Sequence, residues 1–264
     1  MTKAPKEGTM EFADLREIYY GTDDGFDKAH TTTDTPNDID QHTKVCQFYE
    51  AFCDGIAADR RQNIHYASVV GGLFGLNLIP IVKPQKITFF DINPYAPVLF
   101  SLLKRVWVTC ESSEEFLRKL QDADYEVGSE DERVIQTCLV KKQNGTLLDT
   151  RYGGEGRTSH SLKHSWYYAL THFELTRELF LTAEVNTFCS GIHEEAFKTF
   201  VSQEPNLWIY FSNVFAHKYS DLVFDHPKNA VAFACHHDEP EACDISAGGQ
   251  DAATLLGRVP MAVA

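Results

Sequence analysis

At 264 residues, with 43% hydrophobic and 23% charged residues, the chain has the composition of a soluble globular protein: one large domain, or one domain with an appended cap. A formal net charge of −14 argues against a general nucleic-acid or anionic-membrane binder, which presents a basic face. No run approaches the roughly 20 apolar residues of a membrane span, so no membrane role is expected.

Residues 1–62 are expected to form a helical N-terminal cap or lid. Phe12 to Tyr20 reads as a short helix ending at Gly21, and Tyr20 is a candidate to close over a substrate. Thr43 to Arg60 is an amphipathic helix with Val45, Phe48, Tyr49, Phe52 and Ile56 on one stripe. Ile64 to Val70 is rich in β-branched and aromatic residues and runs into Gly71-Gly72, which predicts a strand and a turn. Leu76 to Val82 is a short crossover limited by Pro80 and Pro84. Lys86 to Phe90 is a second strand with Asp91 at its end. Two apolar strands joined by a crossover predict parallel pairing, with a ligand site beyond their carboxyl ends. Pro94 then opens a helix running to about Val106. Asn93 either joins a nucleoside pocket or caps that helix.

Val69-Val70-Gly71-Gly72-Leu73-Phe74-Gly75, followed by Phe89-Phe90-Asp91-Ile92-Asn93-Pro94, resembles the first two motifs of class I S-adenosylmethionine (SAM)-dependent methyltransferases. The resemblance spans roughly Ile64 to Cys235. It implies an α/β fold: a Rossmann-like, doubly wound, mainly parallel sheet. SAM would lie between Gly71, Gly72 and Gly75 on one side and Asp91, Asn93 and Ser190 on the other. The stretch departs from the family's GxGxG by placing Leu73 and Phe74 before Gly75. An ordinary glycine turn, or a nicotinamide-type dinucleotide site, would use the same residue types.

Residues 63–235 form the expected SAM-binding domain, with an insertion near 110–160. Glu111 to Glu132 is acidic and starts as a helix, with Phe116, Leu117 and Leu120 on one side. Val134 to Lys141 and Thr146 to Arg151 flank Gln143-Asn144-Gly145, which predicts an inserted hairpin. Tyr152 to Arg157 is a second glycine-rich stretch, read as a loop over the substrate, ahead of a helix from about Leu162 to Leu181. Glu184 to Cys189 is a third strand, ending at Ser190-Gly191. His193 to Ser202 is a helix, Asn206 to Phe211 a fourth strand and Ala230 to Cys235 a fifth. The resemblance implies that the fourth strand end faces the methionine end of the cofactor. Ser212 and Asn213 are therefore the candidate catalytic-pocket residues, with a turn or helix cap as the alternative.

Residues 236–264 are expected as a tail or as edge strands. The resemblance implies an antiparallel strand pair there, but the sequence shows no clean one. His236, His237, Asp238, Glu239 and Cys243 are metal-capable, yet their spacing matches no common zinc arrangement, and no metal is expected. The seven cysteines contain no CxxC and mostly lie in apolar runs, as buried thiols do in a reducing compartment. The first ten residues contain no apolar run of a secretory signal, and a cytoplasmic location is expected.

SAM carries a sulfonium whose charge disappears on carbon transfer, so the protein need only align the nucleophile and exclude water. The expected function is a SAM-dependent transferase acting on a small molecule, with methyl transfer as the default. Attack on the aminocarboxypropyl arm, as in nicotianamine and azetidine-2-carboxylate synthases, is the alternative. A non-catalytic Rossmann-like binding protein is the third reading. No feature fixes the acceptor or the oligomeric state.

Overall fold

The computed structural model describes residues 37–70, 74–91, 94–143, 166–192, 194–211, 229–236 and 239–244. Helix α1 spans Asn37–Gly55 and leads into strand β1, His65–Val69. A 3-10 turn, Phe74–Leu78, and a one-turn helix α2, Ile79–Val82, cross to β2, Lys86–Asp91. Lys83 adopts the left-handed conformation (φ 53°) and Pro84 follows, which together stop the crossover. Helices α3, Tyr95–Val108, α4, Ser113–Asp122, and α5, Glu130–Gln143, come next. Then follow α6, Tyr167–Thr171, α7, Phe173–Thr182, β3, Glu184–Cys189, α8, Glu195–Gln203, β4, Asn206–Tyr210, β5, Asn229–His236, and β6, Glu239–Asp244.

The six strands form one sheet in the order β3-β2-β1-β4-β5-β6. The first five are parallel, with His65 opposite both Lys86 and Leu207. β6 runs antiparallel on β5, pairing His236 with Glu239. Successive side chains of a strand point to opposite faces, and the burial follows that period of two. Tyr66, Phe89, Trp208, Val231 and Phe233 join a large buried cluster with α1 to α7. Ala67, Phe90, Leu207, Ile209 and Ala232 join a smaller cluster with Phe197 and Val201 of α8. Helices thus cover both faces, as a doubly wound α/β fold requires. The larger face is dense in aromatic rings: Phe89 stacks on Phe100 at 3.9 Å, and Trp107 on Phe173 at 4.9 Å.

Four expectations need correction. Val134 to Lys141 is helix, not the first arm of a hairpin. The Glu132 amide donates to Ser129 Oγ at 3.2 Å, which caps the start of α5, and the Glu132 carboxylate reaches back to the Gly128 amide just before it. Ile135 and Leu139, four residues apart, are buried on one side of it. The second arm, 146–151, lies outside the described residues. The single helix expected over 162–181 is two helices divided at His172. Val45, Cys46, Tyr49, Cys53 and Ile56 join the buried cluster on the larger face of the sheet. Tyr49 meets Phe233 edge-on at 5.4 Å, and its hydroxyl donates to the Ala234 carbonyl. Phe48, placed on the buried stripe, is 42% exposed, and Cys46 and Cys53 are buried instead. Finally, β6 gives the sheet the antiparallel edge that the sequence did not reveal. Arg60, just beyond α1, holds it through a bidentate pair with Asp244.

Candidate functional site

The chain leaves β1 toward β2 and β3 on one side, and β4 and β5 lie on the other. The carboxyl ends of β1 and β4 therefore flank a topological switch point, where such sheets open a ligand crevice. Pairing continues to the start of the glycine stretch, because the Val70 amide donates to the Phe90 carbonyl at 2.9 Å. Asp91 follows as the last residue of β2, partly buried, one step past the Val69–Phe90 pair. It lies opposite Cys189, and its carbonyl accepts from the Ser190 amide at 2.9 Å.

Ser190 is buried, with its hydroxyl 3.1 Å from the Gly191 carbonyl and 3.2 Å from Glu194 Oε2. Three polar side chains thus gather where β2 and β3 end: Asp91, Ser190 and Glu194. Glu194 precedes the first turn of α8 and was not singled out from the sequence. Its one local signal is an acid four residues after the strand-end serine. Cys189 is exposed between the carboxylates. Partial burial raises its thiol pKa, and Glu194 and Asp91 raise it further, so it stays a thiol and is a poor nucleophile.

Gly75 is buried in the 3-10 turn. A Cβ there would overlap Ser68 Oγ and lie 2.9 Å from Ser68 Cβ and 3.1 Å from the Tyr66 hydroxyl. The residue is a glycine because the turn presses directly onto β1, the packing role of the last glycine in a nucleotide-binding stretch. Gly71, Gly72, Asn93, Ser212, Asn213 and Tyr20 lie outside the described residues. So does the stretch Tyr152 to Arg157. Of the candidate site residues, Asp91 and Ser190 are brought together at adjoining strand ends, with Gly75 seated on the neighbouring β1.

These groups suit a nucleoside. A carboxylate only accepts hydrogen bonds, which matches a pair of ribose hydroxyls, and a serine both donates and accepts. Among the described residues no group of three or more His, Cys, Asp or Glu side chains could hold a metal ion. No described helix is long and apolar enough to cross a membrane.

The amino end of the sheet also carries polar groups. His65 Nε2 lies 2.7 Å from Thr88 Oγ1, and His65 Nδ1 lies 2.9 Å from Glu204 Oε2. Burial lowers the His65 pKa, and Glu204 opposes that shift. Asn206 donates to the Arg60 and Gln62 carbonyls, at 3.0 and 2.9 Å, and accepts from Trp208 Nε1 at 3.1 Å. Gln85 Oε1 accepts from the Ile64 amide at 2.7 Å.

No protein-family model matches the chain, and no curated protein matches its sequence.

Proposed function

We propose that the protein is a SAM-dependent transferase acting on a small molecule, with methyl transfer as its chemistry. The observation that carries the reading is Asp91 at the end of β2, beside the strand that runs into the glycine stretch, in a parallel sheet closed by an antiparallel strand. The antiparallel edge strand agrees with the strand pair that the methyltransferase resemblance implies at this end of the sheet.

Bound SAM would supply an electrophilic carbon on a cationic sulfur. Asp91 would accept hydrogen bonds from the ribose hydroxyls, and Ser190 and Asn93 would complete the nucleoside side of the site. Gly71 and Gly72 let the backbone approach closely, since neither carries a Cβ. Ser212 and Asn213, which follow Phe211 directly in sequence, would orient the acceptor's amine or hydroxyl without competing with it as nucleophiles. Tyr20 would act as the aromatic lid residue expected from the sequence. Cys46, Cys53, Cys110 and Cys243 are thiols outside any disulfide, in keeping with the reducing, cytoplasmic setting that we propose.

The test is incubation with SAM and a panel of small amines and alcohols, followed by mass analysis. S-adenosylhomocysteine together with a methylated acceptor is the expected product. Methylthioadenosine in its place would assign the chemistry to the aminocarboxypropyl arm. Intact SAM with every acceptor, despite saturable binding, would leave a binding protein and overturn the enzymatic reading.

A further inference from the structure

The stretch after the glycines is held at its exit as well as its entry. Tyr66, fully buried on β1, donates its hydroxyl to the Gly75 carbonyl at 3.0 Å. Its ring meets Phe89 edge-on at 6.4 Å, inside the aromatic layer. Ser68, two residues on and on the same face of β1, fills the space a Cβ of Gly75 would need. A phenylalanine at position 66 would fill the same apolar space without burying a hydroxyl. A buried hydroxyl costs free energy unless it is paired. Here it is paired with the carbonyl of the third glycine, nine residues along the chain and across the turn.

We propose that Tyr66 is a positioning residue for the cofactor, acting through Gly75: its hydroxyl fixes where the chain leaves the glycine stretch, and Ser68 forms the seat on which Gly75 rests. The inference rests on the SAM reading. A site that works by close backbone approach tolerates little displacement, because small errors in placement weaken binding steeply. Tyr66 touches no substrate in this account. Its effect is on how well SAM is held, not on the transfer step itself.

The experiment compares Tyr66→Phe with Tyr168→Phe. Tyr168 also gives up one hydroxyl contact, to Glu50 Oε2 at 3.1 Å, between α6 and α1. Calorimetry gives SAM affinity, single turnover gives the rate of the saturated complex, and hydrogen exchange reads the amides of Phe74–Leu78 without ligand. Tyr66→Phe is expected to raise the SAM dissociation constant roughly threefold to tenfold, the range set by one net hydrogen bond. It should leave the saturated rate within about twofold and speed exchange in the 3-10 turn. Tyr168→Phe should leave SAM affinity unchanged.

Wild-type binding by Tyr66→Phe overturns this inference alone. Equal weakening by both variants overturns it too, since it would report a general loss of stability. A wild-type protein that takes up no SAM ends the inference together with the reading beneath it. Should Tyr66→Phe not fold, Ser68→Ala carries the same test. It opens the seat under Gly75 and removes the Ser68 hydroxyl's bond to the Val69 carbonyl, at 2.8 Å, while keeping the strand's backbone-to-backbone hydrogen bonds; unchanged SAM affinity there counts against the proposal.

Discussion

At the amino end of the sheet, polar side chains bind partners far away in the sequence. Asn206 reaches back to Arg60 and Gln62, His65 reaches Thr88 and Glu204, and Gln85 reaches Ile64. At the carboxyl end, the side-chain hydrogen bonds of Ser190 stay within four residues, to Gly191 and Glu194, and Asp91 stands partly exposed on the last position of β2. The first pattern ties separate elements together and leaves little hydrogen-bonding capacity for a ligand. The second concentrates carboxylates and a hydroxyl at one edge while tying down few elements. Buried polar groups of both kinds cost the fold something unless they are paired. The difference lies in what that pairing achieves: ties between distant elements at one end and, on the function proposed above, a surface for recognition at the other.

The largest effect should come from breaking the amino end. Asn206→Ala removes the partner of two carbonyls and of the Trp208 indole N–H. Leaving such groups unsatisfied should cost about 3 kcal/mol of unfolding free energy, read from urea denaturation. SAM affinity of the folded fraction should stay within about twofold, because the proposed site lies at the opposite end of the sheet. A loss of affinity without a loss of stability would reverse the assignment of the two ends.

Asp91→Ala should do the opposite. Losing hydrogen bonds to a charged group should weaken SAM binding by about 1.5–3 kcal/mol, while stability changes by less than about 0.5 kcal/mol. Calorimetry beside urea denaturation separates the two.

Asn213→Ala should lower turnover of the bound complex about tenfold and affinity by less than about twofold, since orientation counts most in the transition state. If affinity collapses and the bound complex turns over normally, the residue belongs to the cofactor side. If neither changes, it is a turn or cap.

The smallest effect is a pH dependence at the amino end. Burial depresses the His65 pKa in the folded state, against the opposing pull of Glu204, with Lys86 lowering it and Glu184 raising it slightly. The unfolded chain then binds a proton that the folded chain resists. This contribution to stability is present above the ordinary histidine value of 6.5 and is lost as the pH falls below it. The urea midpoint should therefore decline between neutral and mildly acidic pH, and His65→Phe should flatten that part of the profile. A wild-type midpoint that rises toward acid would mean Glu204 outweighs burial.

Much of this layout was legible in the sequence because its signals are local. Four of the five parallel strands come from runs rich in β-branched and aromatic residues, β5 being alanine-rich, and Asp91 stands out because it ends such a run shortly after three glycines. The misreadings have physical causes. Val134, Ile135 and Val140 gave α5 a strand-like composition, although Ser129-x-x-Glu132 was already a helix-start signal. β6 reads Glu-Pro-Glu-Ala-Cys-Asp, which resembles a loop. An edge strand pairs on one side only and tolerates both its proline and its acids. Tyr66 and Glu194 were invisible because their roles come from contacts the fold creates: a tyrosine inside an apolar strand looks like core until its hydroxyl is seen on Gly75.

The most direct test of a nucleoside site at the carboxyl end is a calorimetric titration of SAM into the wild-type protein and Asp91→Ala, both checked for folding by circular dichroism. The account predicts saturable binding of one SAM per chain to the wild type and binding at least about tenfold weaker to the variant. A folded wild-type protein that gives no binding heat at several temperatures, or an Asp91→Ala variant that binds as tightly as wild type, would contradict it.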